Sequence, residues 1–374
     1  MILQVHESSS LLRCERVLRQ GGLLGLPTET VYGLAADADK PEAVAAIFST
    51  KGRPADHPLI VHVADRDGGL SGARYFAQEI PEFAMRLMQA FWPGPLTLIL
   101  PRRAGVAAAA AGGQDSVGLR CPAHPAAQAL LRALRHSVQG EVVWGLAAPS
   151  ANRFGRVSPT TAQHVHSEFN AGRDADDPAT LLILDGGPCE VGIESTIVDC
   201  TRGAPVLLRP GAIGLDALAQ ACGQALRLAH DMPGGQTTPR ASGTLAAHYA
   251  PDAKVRLMET AALQQALQPD SAQRQAVAGR IGVYMRTRPG IASSEAAQPH
   301  KGSAGEAPQL LLRAMAQDPA RAAQHLFATL RALDDAGAEE IWVEATPQSM
   351  EWAGVADRLQ RASVRPSQGL EGAH

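Results

Sequence analysis

At 374 residues the chain is longer than one ordinary domain and suits two. Hydrophobic residues make up 45%, charged residues 19% and aromatics 4%, a balance that supports a buried core and excludes wholesale disorder. The formal net charge is −3, from 34 basic and 37 acidic residues. Neither half of the chain is net positive, which excludes a body built for tight generic binding to polyanions and leaves room only for a local basic patch. Five widely spaced cysteines, Cys14, Cys121, Cys189, Cys200 and Cys222, form no C-x-x-C pair. Neither a disulfide framework nor a zinc site is expected, and a reducing compartment fits. The N-terminal segment is interrupted by Glu7 and Arg13, and no apolar run reaches the roughly 18 residues of a membrane span. The expectation is a cytoplasmic protein. Only 4 of the basic residues are lysines and 30 are arginines, so each lysine merits inspection. The 36 glycines and 26 prolines point to loops and tight turns that carry much of the chemistry.

In chain order, residues 11–20 read as a short amphipathic helix stopped by Gly21-Gly22, and Leu23–Leu26 as a buried strand. Glu42–Thr50 reads as a helix, Leu59–Val63 as a β-branched strand, Glu79–Phe91 as a helix and Leu96–Leu100 as a strand. Val117–Arg120, Leu181–Leu184, Ser195–Asp199 and Val206–Arg209 are further strands, with helices between several of them. This alternation predicts an α/β layered domain with mixed strand directions.

Asp231–Gly243 is rich in Pro, Gly, Ser and Thr without a hydrophobic period, and reads as a linker. After it the pattern restarts, with strands at Val255–Met258, Arg280–Met285 and Glu340–Glu344 and helices at Ala261–Leu267, Pro319–Asp335 and Met350–Ala362. Arg288–Gly305 reads as a polar loop. Asp318 and Pro319 suit the start of the longest helix, and Gly337 its end. The predicted organisation is therefore a catalytic-size domain over 1–228, a linker or lid over 229–252 and a small βαβ-type domain over 253–374.

Six segments stand out chemically. Pro27-Thr28-Glu29-Thr30-Val31-Tyr32-Gly33-Leu34 crowds hydroxyls, a carboxylate and a phenol at a strand end, where open α/β sheets bind ligands. Lys51-Gly52-Arg53-Pro54 places a point charge and a planar fork around a glycine, a pattern suited to phosphate or carbonate; His57 and His62 follow. Ala148-Pro149-Ser150-Ala151-Asn152-Arg153, running on to Ser158-Pro159-Thr160, combines small and hydroxyl residues that let a backbone approach a nucleotide. Capping would account for Ser158 or Thr160 but not for the Ser-Ala-Asn. Gly192-Ile193-Glu194-Ser195-Thr196-Ile197-Val198-Asp199 and Leu208-Arg209-Pro210-Gly211 put polar groups at the ends of two strands. His248-Tyr249-Ala250-Pro251 closes the linker with an aromatic that could cover a base. There is no G-x-x-x-x-G-K-[ST], no G-x-G-x-x-G in strand–helix context, no H-E-x-x-H and no G-x-S-x-G.

These segments, in this order, resemble the L-threonylcarbamoyladenylate synthase family in its long form. The motifs P-T-E-T-V-Y-G-L, K-G-R-P, E-S-T-I-V-D and L-R-P-G are specific, and H-L-F-A-T-L-R-A-L-D and W-A-G-V-A-D-R-L match more loosely. The resemblance implies a YrdC-like twisted mixed sheet with helices, a linker and a small Rossmann-like α/β C-terminal domain. It implies synthesis of threonylcarbamoyl-AMP from L-threonine, bicarbonate and ATP with release of pyrophosphate, supplying the tRNA threonylcarbamoyladenosine modification beside the anticodon. It assigns Lys51 and Arg53 to the carbonate or carbamate and phosphate charge. Threonine would be held by Thr30, His62, Arg120, Ala148 and Ser195. ATP would be held by Arg53, His57, Ser116, Ser150, Ser158, Arg209 and Tyr249. Mg2+ would accompany the ATP, with no metal held by the protein alone. Downstream threonylcarbamoyl-transfer proteins, and a weak contact with tRNA, are the implied macromolecular partners. The chain departs from the usual pattern at His57, where asparagine is commoner, at Phe154, at Ala241-Ser242-Gly243 and at Ala247.

Two other readings compete. A carbamoyl-transferring enzyme of the hydrogenase-maturation type would need zinc-finger cysteines and an acylphosphatase segment that are missing here. An RNA-binding module using the same face would suit a local basic patch. Threonine- and bicarbonate-dependent release of pyrophosphate from ATP separates them.

Overall fold

The structure, a computed structural model, describes residues 1–136, 138, 141–174, 177, 179–229, 239–243, 245, 247–287 and 308–364. The chain divides into two compact units, Met1–Phe154 with Ser158–Thr244, and Gly155–Val157 with Leu245–His374. The polar loop expected at Arg288–Gly305 and much of the linker expected over 229–252 lie outside the described residues.

The strands of the first unit are β1 (Ile2–Gln4), β2 (Leu24–Leu26), β3 (Gly33–Asp37), β4 (Ile60–His62), β5 (Leu96–Pro101), β6 (Ser116–Arg120), β7 (Leu146–Ala147), β8 (Leu182–Asp185), β9 (Thr196–Asp199), β10 (Val206–Arg209) and β11 (Arg227–Leu228). They form one sheet in the order β1-β8-β2-β3-β7-β4-β6-β5-β9-β10-β11. Pairs such as β4–β6 and β5–β9 are parallel, whereas β5–β6 and β9–β10 are antiparallel. The mixed α/β layering expected from the alternation is borne out.

Among the described residues seven α-helices flank this sheet: α1 (Ser8–Arg19), α2 (Pro41–Lys51), α3 (Leu70–Phe76), α4 (Glu82–Phe91), α5 (Pro125–Leu134), α6 (Ala162–Phe169) and α7 (Leu215–Cys222). Because side chains alternate along a strand, the two faces of the sheet feed two cores. Leu34, Ala36, Val61, Leu98 and Leu119 join the cluster with Ile47, Phe76 and Leu87 of α2, α3 and α4. Leu24, Leu26, Ala35, Leu146 and Ala148 join the cluster with Leu18 of α1 and Leu130, Leu131 and Leu134 of α5. All five cysteines are buried and none is in a disulfide.

The second unit has a four-stranded, all-parallel sheet of β12 (Lys254–Met258), β13 (Arg280–Met285), β14 (Gln309–Ala314) and β15 (Ala338–Glu344), in the order β12-β15-β13-β14. Its helices are α8 (Thr260–Ala266), α9 (Ala272–Gln275), α10 (Pro319–Asp335) and α11 (Ala353–Ser363). This is the small Rossmann-like sheet expected. Among the described residues no helix is long and apolar enough to cross a membrane.

Element boundaries differ from the sequence reading where local chemistry decides. The helix expected at Glu79–Phe91 begins at Glu82: Pro81 takes the capping position and disfavours helical φ/ψ at Ile80 before it. The final helix splits into a short 3-10 turn over Met350–Trp352 and α11. Strands β1, β3, β7, β11 and β14 and helices α3, α5, α6, α7 and α9 fall outside the elements the sequence pattern predicts. By contrast, α10 spans the expected Pro319–Asp335, and the Asp318 side chain accepts from the Arg321 amide as a cap at 2.8 Å. Asp318→Ala should therefore lower stability by about 1 kcal/mol, the usual worth of such a cap. Urea unfolding of the full chain would measure it, and an unchanged midpoint would show the cap to be dispensable.

Candidate active site

One registered row of residues crosses the first unit's sheet. His62 on β4 lies opposite Arg120 on β6, Arg120 opposite Thr97 on β5, Thr97 opposite Ile197 on β9, and Ile197 opposite Arg209 on β10. In the other direction His62 lies opposite Leu146 of β7, which belongs to the apolar cluster under α1 and α5. Residues facing each other across a ladder share a face. This face is therefore apolar beneath α1 and α5 and becomes polar beyond them. A pocket opens on it, lined by Pro58, Ile60, Thr97, Ser116, Gly118, Ile197 and Ser242.

The sequence segments meet around this row. Arg120 donates to the Thr30 hydroxyl at 2.7 Å and pairs with the Glu29 carboxylate at 2.7 Å, all three side chains being buried. Thr28 bonds to Thr30 at 2.9 Å and to the Val31 carbonyl at 2.6 Å, which folds the P-T-E-T turn onto itself. Main-chain bonds then tie this segment to its neighbours: Tyr32 to Pro159, Leu34 to Pro149, Ala151 to Tyr32, and Val191 to Glu29. The close approach explains Gly33, where a Cβ would stand 3.1 Å from that of Ala148. Lys51 donates to the Ser150 carbonyl at 2.5 Å and also to the Asn152 carbonyl, so the K-G-R-P and S-A-N segments are one structure.

Arg209 donates from Nε and Nη2 to the Ser195 carbonyl at 3.1 and 2.8 Å, and from Nη2 to the Ser195 hydroxyl at 3.2 Å. Gly211, two residues on, is required because a Cβ there would meet the Thr196 nitrogen at 2.5 Å. Residues 240–242 lie against the same cations. The Ser242 carbonyl accepts from Arg209 at 2.7 Å, and its hydroxyl accepts from Arg53 at 3.3 Å and donates to the Pro58 carbonyl at 2.8 Å. Arg240 bonds to Asp56, to the Gly112 carbonyl and, through its amide, to Gln114.

Burial sets the protonation of these groups. The Lys51 ammonium is pushed well below its ordinary value, first by desolvation and then by Arg53, against the opposing pull of Glu168 and Glu194. Burial, with Arg120 beside it, pushes His62 down to about 3 and keeps its ring neutral. His57 is lowered by burial and by Arg53; its ring leans on Phe154 with centroids 5.5 Å apart.

Thr30, His62, Arg120, Ser195 and Arg209 are thus brought onto or beside one row. Ser116 lines the pocket, and Arg53 stands beside it through Pro58 and Ser242. The Ala148 amide bonds to the Ile60 carbonyl at 3.0 Å, next to the same row. Ser150 offers its carbonyl to Lys51, and Ser158 donates to Glu194. Tyr249 belongs to the second unit, where its ring packs 5.3 Å from Phe327 and its backbone holds a left-handed φ of 64°. Among the described residues no group of three or more His, Cys, Asp or Glu could hold a metal ion.

A family model described as telomere recombination, covering Sua5, YciO and YrdC proteins, matches residues 16–211, and one described as the threonylcarbamoyl-AMP synthase C-terminal domain matches residues 213–364. The chain belongs to the threonylcarbamoyl-AMP synthase family. A threonylcarbamoyl-AMP synthase of Bacillus subtilis is 34% identical over 349 residues, covering 93% of this chain and 91% of the relative. One from Pyrococcus abyssi is 42% identical over 244 residues, covering 65% of this chain and 66% of the relative. The crystal structure of P. abyssi Sua5 complexed with L-threonine matches at a TM-score of 0.77 and 33% identity, covering 97% of each chain. Within the family frame, the residues that sequence reasoning passed over are Glu29 as partner to Arg120, and Thr97. The signal for Thr97 was a lone hydroxyl in the apolar strand L-T-L-I-L.

The neutral state of His62 has a consequence for stability. Unfolded, its imidazole titrates near 6.5, whereas folded it resists protonation down to about 3. Below pH 6.5 the unfolded chain therefore binds a proton that the folded chain does not, and stability falls with falling pH across that window. His62→Gln should flatten this part of the acid limb when unfolding midpoints at pH 7 and pH 4.5 are compared. Equal slopes in variant and wild type would contradict a neutral, buried His62.

Proposed function

We propose that the chain synthesises threonylcarbamoyl-AMP from L-threonine, bicarbonate and ATP. The observation that carries this is the registered row: the residues implied for threonine and the arginine implied for ATP share one face, joined at the Ser195–Arg209 contact. Threonine's amine and bicarbonate give a carbamate and water, and a carbamate oxygen attacks the α-phosphorus with pyrophosphate leaving. No covalent nucleophile on the protein is needed. The work is positioning and neutralising charge, which stiffly held guanidinium and ammonium groups supply.

Arg120 and Ser195 offer donors to an amino-acid substrate, Thr30 accepts from Arg120 while its own proton goes to Thr28, and neutral His62 offers a nitrogen that can accept. Arg53, Arg209 and Ser116 line the nucleotide side, with His57, Ser150, Ser158 and Tyr249 assigned to it by the same reading. Lys51 holds the turn carrying Ser150 and Asn152 as well as contributing charge. Mg2+ enters with the ATP phosphates as part of the substrate. The product is an activated acyl donor, so its consumers are threonylcarbamoyl-transfer proteins acting on tRNA, with a weak direct tRNA contact included in the proposal. A cytoplasmic setting and a division into catalytic region 1–228, lid 229–252 and C-terminal domain 253–374 complete it.

Purified protein with Mg2+ should release pyrophosphate from ATP only when both threonine and bicarbonate are present; release independent of either substrate rejects the reading. Arg53→Ala should lower turnover by roughly 10²-fold or more, the scale for losing one charge-stabilising group, with an unchanged melting temperature. Lys51→Ala should abolish synthesis too.

A further inference from the structure

The hydroxyl of Thr97 is buried, and Thr97 sits in the registered row between Arg120 and Ile197. Among the described residues its hydroxyl has one partner, the Ser195 hydroxyl at 2.7 Å. Ser195 in turn takes a bond from Arg209 Nη2 at 3.2 Å. A hydroxyl has one proton and two lone pairs. Arg209 can only donate, so it occupies one lone pair of Ser195. Among the described residues the Thr97 proton has no other acceptor, and a buried donor left unmade is costly. It must therefore go to the second lone pair of Ser195. Both lone pairs are then filled, and the Ser195 proton is the one valence left for a ligand.

We propose that Thr97 is a positioning residue that fixes Ser195 as a hydrogen-bond donor toward the carboxylate of the amino-acid substrate. The neighbouring charges agree. Arg209 bonds Ser195 directly, and Arg120, itself paired with Glu29, lies opposite Thr97; the charged group in contact with Ser195 is a guanidinium, so the ligand group met here is an anion rather than an ammonium. Ser195 thereby accepts from the nucleotide-side arginine and donates to the amino acid. This assignment rests on the functional reading above.

Thr97→Val keeps the shape and removes the proton, and Thr97→Ser keeps the proton and removes a methyl. Calorimetric titration with L-threonine alone, on the full chain, should show Thr97→Val binding about tenfold more weakly, the scale of one hydrogen bond in a binding site. Thr97→Ser should stay within about twofold of wild type, since the donor it keeps is the group at issue. In the coupled assay the threonine KM should rise in Thr97→Val with kcat and the ATP KM little changed, a split that a general loosening of the strand would not give. Wild-type affinity in Thr97→Val overturns the proposal, as does a Thr97→Ser variant as weak as Thr97→Val, because shape and not the hydroxyl would then be responsible. If the wild type itself binds no threonine, the functional reading fails, and this assignment with it.

Discussion

The structure depends on keeping cations buried against a sheet. Lys51, Arg120 and Arg209 are all nearly inaccessible to solvent, and burying a charge is costly unless polar partners compensate. Arg120 is met by the Glu29 carboxylate and the Thr30 hydroxyl, whereas Lys51 and Arg209 lean on main-chain carbonyls at Ser150, Asn152, Ser195 and Ser242. Carbonyl dipoles hold a cation in place without cancelling its charge.

That constraint explains why the sequence motifs are locked to one another. The carbonyls that support Lys51 and Arg209 belong to segments other than the cation's own. Lys51 therefore binds the S-A-N turn and Arg209 binds the entrance to β9, while main-chain bonds fasten the P-T-E-T turn to Pro149, Pro159 and Val191. Residues 240–242 join the same network through Arg53 and Arg209. Preorganisation of this kind suits a reaction in which carbamate and phosphate must be aligned and no protein group is covalently modified.

Much of the site was legible in the sequence because clusters of polar residues at strand ends are unusual in an otherwise apolar α/β chain. Lys51, Arg53, Arg209 and Ser195 could be singled out on that ground. Glu29 could be seen but not assigned to Arg120, since their partnership depends on a turn folding back over β6. Thr97 is a single hydroxyl in an apolar strand, and only the ladder register sets it opposite Arg120 and beside Ser195. Several elements were equally hidden. Strand β3 is Gly-Leu-Ala-Ala-Asp, without a β-branched residue, and β7 is two residues long. Both are strands because their neighbours pair with them, not because their own side chains prefer it.

The sequence by itself determined the α/β class, the capped helix at Pro319–Asp335 and the family. These follow from periodicity, caps and contiguous motifs, all of which are local. Only the tertiary structure decided which residues share a face and which atoms each cation touches. Those facts hang on strand order and register, where neighbours such as β4 and β6, or β5 and β9, are far apart in the chain. A shift of one residue in either ladder would turn His62 or Thr97 to the opposite face, and no local pattern in the sequence records that register.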